Sequence, residues 1–162
     1  MNILVSECLL GIRCKYSGGA NPCLAVIQAV KAGRHRLIPV CPGCLGALAI
    51  PRQPSERVGD RVLSRTGEDV TAQYERGAQA ALALAKLYGC TAAILKERSP
   101  SCGSGEIYDG TFTGMVVEGW GVTAELLRRE GIPVLGESRM GELLTEGEAC
   151  LVKITREPAK KL

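Results

Sequence analysis

Short apolar runs alternate with longer stretches of helical periodicity along this chain. Four runs have the length and aliphatic content of buried strands: 2–6, 36–40, 92–96 and 132–135. Four other stretches have the residue spacing expected of helices, over about 21–32, 70–88, 121–130 and 138–145. Strands that alternate with helices predict βαβ units, so we expect an α/β fold with a mostly parallel sheet flanked by helices.

The helix ends are marked by capping residues. Asp69 is placed to act as the N-cap of the 70–88 helix, and Gly89 follows it as a stop. The first helix is predicted to open at Pro22, where a missing backbone N–H costs nothing, and to end at Gly33.

Two segments are expected to be loops over the sheet edge. Residues 50–67 are rich in Pro, Arg, Ser and Gly, and a short strand is predicted around 61–64. Residues 99–113 carry one proline and three glycines, which indicates a loop with special backbone angles. Loops in this position commonly hold functional side chains.

Length and composition limit the classes of protein. A chain of 162 residues fits one core, so we predict a single domain over 1–145 and a C-terminal extension over 146–162 with a frayed end. With 46% hydrophobic and 23% charged residues, disorder is excluded. No stretch approaches the ~20 apolar residues of a membrane span, and no export signal is seen, which predicts a cytoplasmic protein.

Charge gives weaker information about partners. A net charge of +3 is too small to indicate nucleic-acid binding, and one Trp, one Phe and four Tyr offer little surface for base stacking. We expect a small-molecule ligand, no nucleic acid and no membrane. The oligomeric state is left open.

Three of the eight cysteines follow strand-like runs: Cys8, Cys41 and Cys102. The carboxyl ends of parallel strands share one edge of a sheet, where ligands bind. In a reducing compartment, loop cysteines favour metal or redox chemistry over structural disulfides. Three converging thiolates describe a metal site with one open position, and an iron–sulfur cluster is the leading candidate.

The other cysteines carry weaker signals. Cys14 is interpreted equally well as a structural or a functional thiol. Cys23 and Cys90 lie in or beside predicted helices, where buried structural thiols are the norm, and Cys150 in the tail looks incidental. The glycine-containing segment 6–19 matches neither a Walker loop nor a dinucleotide-binding fingerprint.

The motif from Cys41 to Cys44 has three interpretations. It is a thioredoxin-like redox pair, a part of a closed metal site that uses both thiols, or a cluster site that uses Cys41 alone. Pro51 follows soon after and leaves little room for the long helix of a redox motif.

The segment 96–105 is rich in charged, hydroxyl and thiol side chains. It places two cations, an acid, hydroxyl groups and a thiol immediately beyond an apolar strand. A merely solvated loop would explain the charges but not a cysteine between Ser101 and Gly103. We therefore predict an active-site loop here.

Several blocks of sequence resemble one known family. They read Ser6-Glu-Cys-Leu-Leu-Gly, Pro39-Val-Cys-Pro, Gly67-Glu-Asp-Val-Thr, Lys96-Glu-Arg-Ser-Pro-Ser-Cys-Gly, Ile107-Tyr-Asp-Gly-Thr-Phe and Gly121-Val-Thr-Ala-Glu-Leu-Leu. In their residues and in their order along the chain, these blocks resemble the family catalogued as domain of unknown function 523, which includes the bacterial thiouracil desulfurases. The resemblance extends over about residues 2–138.

This resemblance implies a single Rossmann-like domain that holds a 4Fe-4S cluster through Cys8, Cys41 and Cys102. The fourth iron, without a protein ligand, would bind the sulfur of a thiolated pyrimidine similar to thiouracil. Water would attack the carbon and sulfide would leave, with no net redox change. The expected site lies at the carboxyl edge of the strands.

The resemblance also suggests roles for other residues. The family commonly has a glutamate two positions after the second cysteine, where this chain has Gly43; Glu7 is expected to take over part of that role. Ser101 is expected to position the attacking water. Three cations are expected to orient the substrate: Arg52, Lys96 and Arg98.

Two alternatives to the desulfurase remain at this point. In the first, Cys44 is a fourth ligand, which gives a closed cluster for electron transfer or a four-cysteine zinc site. In the second, Cys41 and Cys44 form a metal-free thiol–disulfide oxidoreductase.

Overall fold

A computed structural model describes residues 1–146 of the chain. Its elements in chain order are β1 (Asn2–Ser6), a 3-10 turn (Glu7–Leu10), α1 (Leu24–Ala32), β2 (Arg36–Val40), α2 (Pro42–Leu45), β3 (Ser55–Val58), β4 (Arg61–Ser64), α3 (Thr71–Leu87), β5 (Ala92–Leu95), β6 (Ser104–Tyr108), β7 (Val116–Trp120), α4 (Val122–Arg129), β8 (Val134–Gly136), a second 3-10 turn (Glu137–Arg139) and α5 (Met140–Glu146).

The central sheet has four parallel strands in the order β2-β1-β5-β8. In the register of this sheet, Ile3 lies between Leu37 of β2 and Ala92 of β5. All four residues of β5 are buried, which is typical of a parallel strand covered on both faces. The predicted α/β fold with a parallel sheet is confirmed.

Helices cover both faces of the sheet and form two apolar layers. On one face Leu4 packs with residues of α3 and α4, among them Leu127. On the other face Ile3 packs with Val26 of α1 and Leu143 of α5. Each such aliphatic side chain, when fully buried, contributes about 1.5–3 kcal/mol to folding. The layers hold the strand ends in fixed positions.

The first helix starts later than the sequence pattern predicts. It begins at Leu24, because the backbone N–H groups of Asn21 and Cys23 donate to carbonyls of the Glu7–Leu10 turn at 3.0 and 2.8 Å. Those bonds keep residues 21–23 non-helical, so the prediction that Pro22 lies in the first helical turn is wrong. The predicted stop at Gly33, with φ 69°, is confirmed.

The α3 helix agrees closely with its sequence pattern. The prediction that Asp69 is its N-cap is wrong by one position: the N-cap residue is Val70, and Asp69 lies just before it, where its Oδ1 accepts the Thr71 N–H at 3.0 Å. Gly89 follows the helix with φ 60°.

Each predicted loop contains at least one strand of an antiparallel hairpin. The predicted strand at 61–64 is confirmed as β4, but it pairs with β3, which was not predicted. The 99–113 segment includes β6, which pairs with β7. The strand β3 carries the charged Glu56 and Arg57, and most of β7 is exposed, so neither shows the alternation of a half-buried strand.

The short helix α2 approaches α3 backbone to backbone. A Cβ added to Gly77 would lie 2.0 Å from the Pro42 carbonyl oxygen, and one added to Gly46 would lie 2.0 Å from the carbonyl oxygen of Gln73. Because glycine has no Cβ, the two helices can touch here. This contact fixes α2 and therefore Cys41, its N-cap residue.

Most of the predicted C-terminal extension, residues 147–162 with Cys150, lies outside the described residues. Within residues 1–146, none of the helices combines the length and the apolar character required to cross a membrane.

Candidate metal centre

A cavity of about 740 Å³ opens at the carboxyl edge of the parallel sheet. It lies beyond the ends of β1, β2 and β5, which is the usual ligand position in an open α/β sheet. The residues predicted to be metal ligands, catalytic groups or substrate-binding cations line it, with the exception of Cys44.

Three thiols reach the cavity from three neighbouring strands. Cys8 lies in the turn after β1, Cys41 follows β2 directly, and Cys102 lies in the loop after β5. Cys8 and Cys102 are buried, and Cys41 is half-buried. All seven cysteines within residues 1–146 are free thiols, so none of these three is used in a disulfide there.

Burial makes ionisation of these thiols unfavourable. Burial, together with the neighbouring Cys8 and Cys41, raises the pKa of the Cys102 thiol to about 12. Hydrogen bonds with Ser6 and Ser101 act in the opposite direction and lower this pKa. Burial also raises the pKa of Cys8. A bound cation reverses this preference, since a thiol that coordinates a metal is deprotonated. Three soft sulfur donors around one cavity fit an iron–sulfur cluster.

Polar side chains hold two of the thiols in place. The Ser6 hydroxyl accepts the backbone N–H of Lys96 at 2.9 Å and is also hydrogen-bonded to Cys102. Asn21 makes a side-chain hydrogen bond with Cys8. Neither Ser6 nor Asn21 was predicted to be a site residue. For Ser6, the position two residues before Cys8 at the end of a strand was the available signal.

The first turn of α4 anchors the loop of Cys102. The N–H groups of Thr123 and Ala124 donate to the Ser101 carbonyl at 2.8 and 3.2 Å. A Cβ on Gly121 would lie 2.4 Å from the Ser101 carbonyl carbon, so glycine is required for this close approach. The Ser101 Oγ lies 2.9 Å from Oγ1 of the fully buried Thr123. The orientation of Ser101 is therefore set by Thr123.

Two further groups lie beside Cys41. The Sγ atoms of Cys14 and Cys41 and a carboxylate oxygen of Glu7 lie within 4.8 Å of one another. Cys14 is 5% exposed, and Cys41 Sγ is 3.8 Å from its carbonyl oxygen. Burial and the adjacent Cys41 raise the pKa of Cys14 well above that of a free thiol. The structure thus brings Cys14, which the sequence left undecided, into the site.

Cys44 contacts Cys41 through a side-chain hydrogen bond but is not among the residues that line the cavity. Burial, and then Cys41, raise the pKa of Cys44 to about 11. This environment does not favour a thiolate at Cys44.

The three predicted substrate-binding cations have different partners. Lys96 Nζ pairs with Glu137 Oε1 at 2.5 Å, and Arg52 Nη1 donates to the Ala49 carbonyl at 3.0 Å. Arg98 lies on the cavity wall with φ 65°, which is rare for a residue with a side chain.

Arg52 fills the space beside Gly43. A Cβ at position 43 would lie 2.8 Å from Arg52 Nη2. Where the family resemblance suggests an acid, this chain therefore presents a guanidinium group.

Aromatic rings form a further part of the wall: Tyr16, Tyr74, Tyr108 and Phe112. The composition suggested little stacking surface, yet the fold gathers four rings around one cavity. Burial raises the pKa of Tyr74, so its hydroxyl stays neutral. Flat apolar surfaces of this kind suit a planar heterocycle.

Comparison with known proteins supports the same family as the motifs. Residues 3–139 match the family model of the 2-thiouracil desulfurases. The uncharacterized protein YbbK of Bacillus subtilis (strain 168) is 41% identical over 152 residues, which cover 88% of this chain and 99% of YbbK.

A solved structure shows that the fold is also shared. The structure of the [4Fe-4S]-dependent thiouracil desulfidase TudS superposes with a TM-score of 0.84 at 42% identity, and the match covers 91% of this chain and 98% of that one. The resemblance inferred from the sequence motifs is confirmed by these matches.

Proposed function

The chain belongs to the 2-thiouracil desulfurase family, and from this premise we propose that it removes sulfur from a thiolated pyrimidine with the help of a 4Fe-4S cluster. Family membership supports the prediction that the protein is a desulfurase enzyme. The residues that hold the cluster and carry out the reaction are part of the proposal.

One observation carries the proposal. Cys8, Cys41 and Cys102 follow three adjacent strands and line the same cavity, although 33 and 61 residues separate them in the sequence. We assign the cluster to these three thiols. A bound cluster would supply an iron with a free position, which attracts the soft thiocarbonyl sulfur and polarises the C–S bond.

The overall reaction balances without electrons. One water molecule adds to the thiocarbonyl carbon, the C–S bond breaks, and the products are the carbonyl compound and hydrogen sulfide. Water must lose a proton as it attacks and the sulfur must gain protons as it leaves. The protein therefore needs groups that hold and move protons close to the sulfur position.

Ser101 and Glu7 are placed for this work. The Ser101 hydroxyl, fixed by Thr123, lines the cavity beside Cys102 and would orient the attacking water. A Glu7 carboxylate oxygen lies within 4.8 Å of the Cys41 sulfur, so it would accept a proton from water and return it to the departing sulfide. This placement supports the proposal that Glu7 supplies the acidic group that is absent at Gly43.

The cavity wall would hold the heterocycle. Arg52 and Arg98 offer guanidinium N–H groups to the ring carbonyl oxygen, and the aromatic rings of Tyr74 and Phe112 give it flat surfaces to stack on. Lys96 is already paired with Glu137, so its charge is partly neutralised. We expect it to contribute less to substrate binding than the two arginines.

A cytoplasmic location is part of the proposal, since free thiols and an open iron–sulfur centre persist in a reducing compartment. The closed-site and oxidoreductase alternatives both require Cys44, and its place outside the cavity lining favours neither.

The test is anaerobic reconstitution of the full chain, with iron and sulfide counts and a sulfide-release assay on 2-thiouracil and 4-thiouracil. We expect four irons per chain, as in the cluster of the related desulfidase, and sulfide release. Cys8→Ala, Cys41→Ala and Cys102→Ala should each lose most of the iron. Wild-type protein without iron would disprove the proposal.

The matched control is Cys90→Ala. Cys90 is also a buried thiol, but it lies in the apolar layer formed with α3 and not in the cavity. Its removal should leave the iron content unchanged. Disulfide-exchange activity that survives Cys8→Ala and Cys102→Ala would instead support the metal-free oxidoreductase.

A further inference from the structure

The carboxylate of Glu56 holds a turn that forms part of the cavity wall. Its Oε1 accepts the backbone N–H groups of Gly110 and Phe112 at 3.0 and 3.1 Å. Glu56 is 9% exposed, and both Glu56 and Phe112 line the cavity. We propose that Glu56 is a positioning residue, which fixes the Phe112 ring as a flat wall for the substrate and thereby makes the site select planar heterocycles. This inference rests on the proposed function.

The backbone of Phe112 has a conformation that depends on its surroundings. Its φ is 58°, in the left-handed region, which is rare for a residue with a bulky side chain. Residues in such conformations persist where neighbouring groups hold them, and they cluster at functional sites. The Phe112 N–H is itself one of the two groups bound by Glu56, so the bond acts directly on the strained residue. Loss of this bond should let Phe112 leave its conformation.

The turn that carries Phe112 also fits closely against β3. The N–H of Asp109 donates to the Met115 carbonyl at 3.0 Å and closes the turn. A Cβ on Gly110 would lie 2.4 Å from Val58 Cγ2, which shows how near the turn comes to β3. The position of the turn over the cavity is therefore set by β3, the strand that carries Glu56.

A second group holds the aromatic ring itself. The guanidinium carbon of Arg65 lies over the Phe112 ring, 5.6 Å from its centroid, where a cation is attracted to the face of the ring. The N–H of Arg65 donates to the Pro54 carbonyl at 2.9 Å, so Arg65 is fixed at the open end of the hairpin formed by β3 and β4. One hairpin thus holds both the backbone and the ring of Phe112.

A fixed aromatic wall favours flat ligands. A conjugated ring, such as that of a thiolated pyrimidine, can stack on Phe112 over its whole face. A saturated ring is puckered and brings fewer of its atoms into contact with the wall. A mobile Phe112 would adapt to either shape. Glu56 should therefore contribute to the preference for planar over puckered rings, and not only to affinity.

The experiment uses the reconstituted full chain and measures how uracil and 5,6-dihydrouracil inhibit sulfide release from 2-thiouracil. The two inhibitors carry the same oxygens and N–H groups, but only uracil is planar. We expect Glu56→Ala to weaken inhibition by uracil on the order of 10-fold, as for the loss of a base stacked on an aromatic ring, and inhibition by dihydrouracil much less. The KM for 2-thiouracil should rise with kcat nearly unchanged, because stacking acts on substrate and transition state alike.

Three variants serve as controls. Glu56→Gln should keep the inhibition pattern of wild type, because its amide oxygen can accept the same two N–H groups. Glu118→Ala removes an exposed glutamate of β7 that does not line the cavity, and it should also behave as wild type. Glu56→Asp keeps the carboxylate on a shorter side chain and should weaken uracil inhibition in the same direction. It tests the inference where Glu56→Ala does not fold.

A double-mutant cycle with Phe112→Leu shows whether Glu56 acts through the ring. Once the ring is absent, Glu56→Ala should not change the ratio of the two inhibition constants any further, so the two substitutions should be strongly non-additive. Additive effects would overturn the inference and leave the proposed function intact.

Two other outcomes would also overturn it. One is an equal loss of inhibition by uracil and dihydrouracil in Glu56→Ala, which indicates a purely structural role. The other is a wild type that does not prefer uracil to dihydrouracil. Wild type without iron or without sulfide release would instead disprove the proposed function, and the inference with it.

Discussion

The Ser6 hydroxyl accepts the backbone N–H of Lys96 at 2.9 Å and thereby joins the ends of the two central strands. Ser6 is 3% exposed, and the same hydroxyl is hydrogen-bonded to the Cys102 thiol. One side chain therefore links the strand that leads to Cys8 with the loop that carries Cys102.

Removal of this hydroxyl should weaken both folding and metal retention. Ser6→Ala leaves the partly buried Lys96 N–H without its acceptor, which should lower the free energy of unfolding by about 1–3 kcal/mol. Iron should also be lost to a chelator on the order of 10-fold faster. Urea unfolding and chelator kinetics measure the two effects.

Ser17→Ala is the control for that variant, because Ser17 is exposed and its hydroxyl accepts only a long bond of 3.3 Å from Gly19. A Ser6→Ala protein with the stability and iron retention of the control would show that the hydroxyl has no role in the site.

The contact between α2 and α3 makes a second prediction. Gly77→Ala would place a Cβ 2.0 Å from the Pro42 carbonyl oxygen, so α2 must move and Cys41 must move with it. We expect a loss of about 1–3 kcal/mol in the free energy of unfolding, as for other overpacked cores, and a reduced iron content.

Gly141→Ala provides a matched control within a helix. Among residues 1–146, a Cβ at Gly141 meets nothing within 4 Å, so the higher helix propensity of alanine should leave stability unchanged or raise it by up to about 1 kcal/mol. If the two variants behaved alike, the close approach of α2 to α3 would not be important for stability.

Thr123 should act through Ser101. Thr123→Val keeps the shape of the fully buried side chain but removes the oxygen that lies 2.9 Å from Ser101 Oγ. Without this partner the Ser101 hydroxyl can rotate, so kcat for sulfide release should fall roughly 10- to 100-fold with a smaller change in KM.

Thr123→Ser restores the hydroxyl and should recover most of the activity. Thr91→Val, at an exposed position, should leave kcat unchanged. A Thr123→Val enzyme that lost stability but kept its kcat would show that Thr123 has a purely structural role.

The sequence predicts the parallel part of this fold well. The strands β1, β2 and β5 consist largely of aliphatic residues because both of their faces are covered, and such runs are recognised without knowledge of tertiary contacts. Their carboxyl ends led directly to Cys8, Cys41 and Cys102. These thiols by themselves indicated an iron–sulfur site, whereas the desulfurase activity was predicted from the resemblance to a family.

The parts of the fold and of the site that the sequence did not predict depend on contacts between distant segments. Glu56 is buried in β3 because its carboxylate accepts the N–H groups of Gly110 and Phe112 at 3.0 and 3.1 Å. No residue near Glu56 in the sequence indicates that Gly110 and Phe112 are its partners. Likewise, Cys14 faces Cys41 only after residues 11–23 have folded back against the first 3-10 turn.

The last prediction concerns Glu97 and the pH dependence of stability. Partial burial raises the pKa of Glu97, but the hydroxyl and the N–H of Ser138 outweigh it, helped by Lys96 and Arg98, so the pKa is lowered overall. A carboxyl group with a lowered pKa stabilises the folded state above its unfolded pKa of about 4.3, and this contribution disappears as the pH falls through the folded value.

Ser138→Ala should therefore lower the free energy of unfolding near neutral pH, and the difference from wild type should shrink as the pH falls below about 4.3. Urea unfolding between neutral and acid pH measures this. In a Glu97→Gln background the side chain no longer titrates, so the effect of Ser138→Ala should not vary with pH. A difference between wild type and Ser138→Ala that stayed constant into acid would show that the Glu97 carboxylate does not depend on Ser138 for its charge.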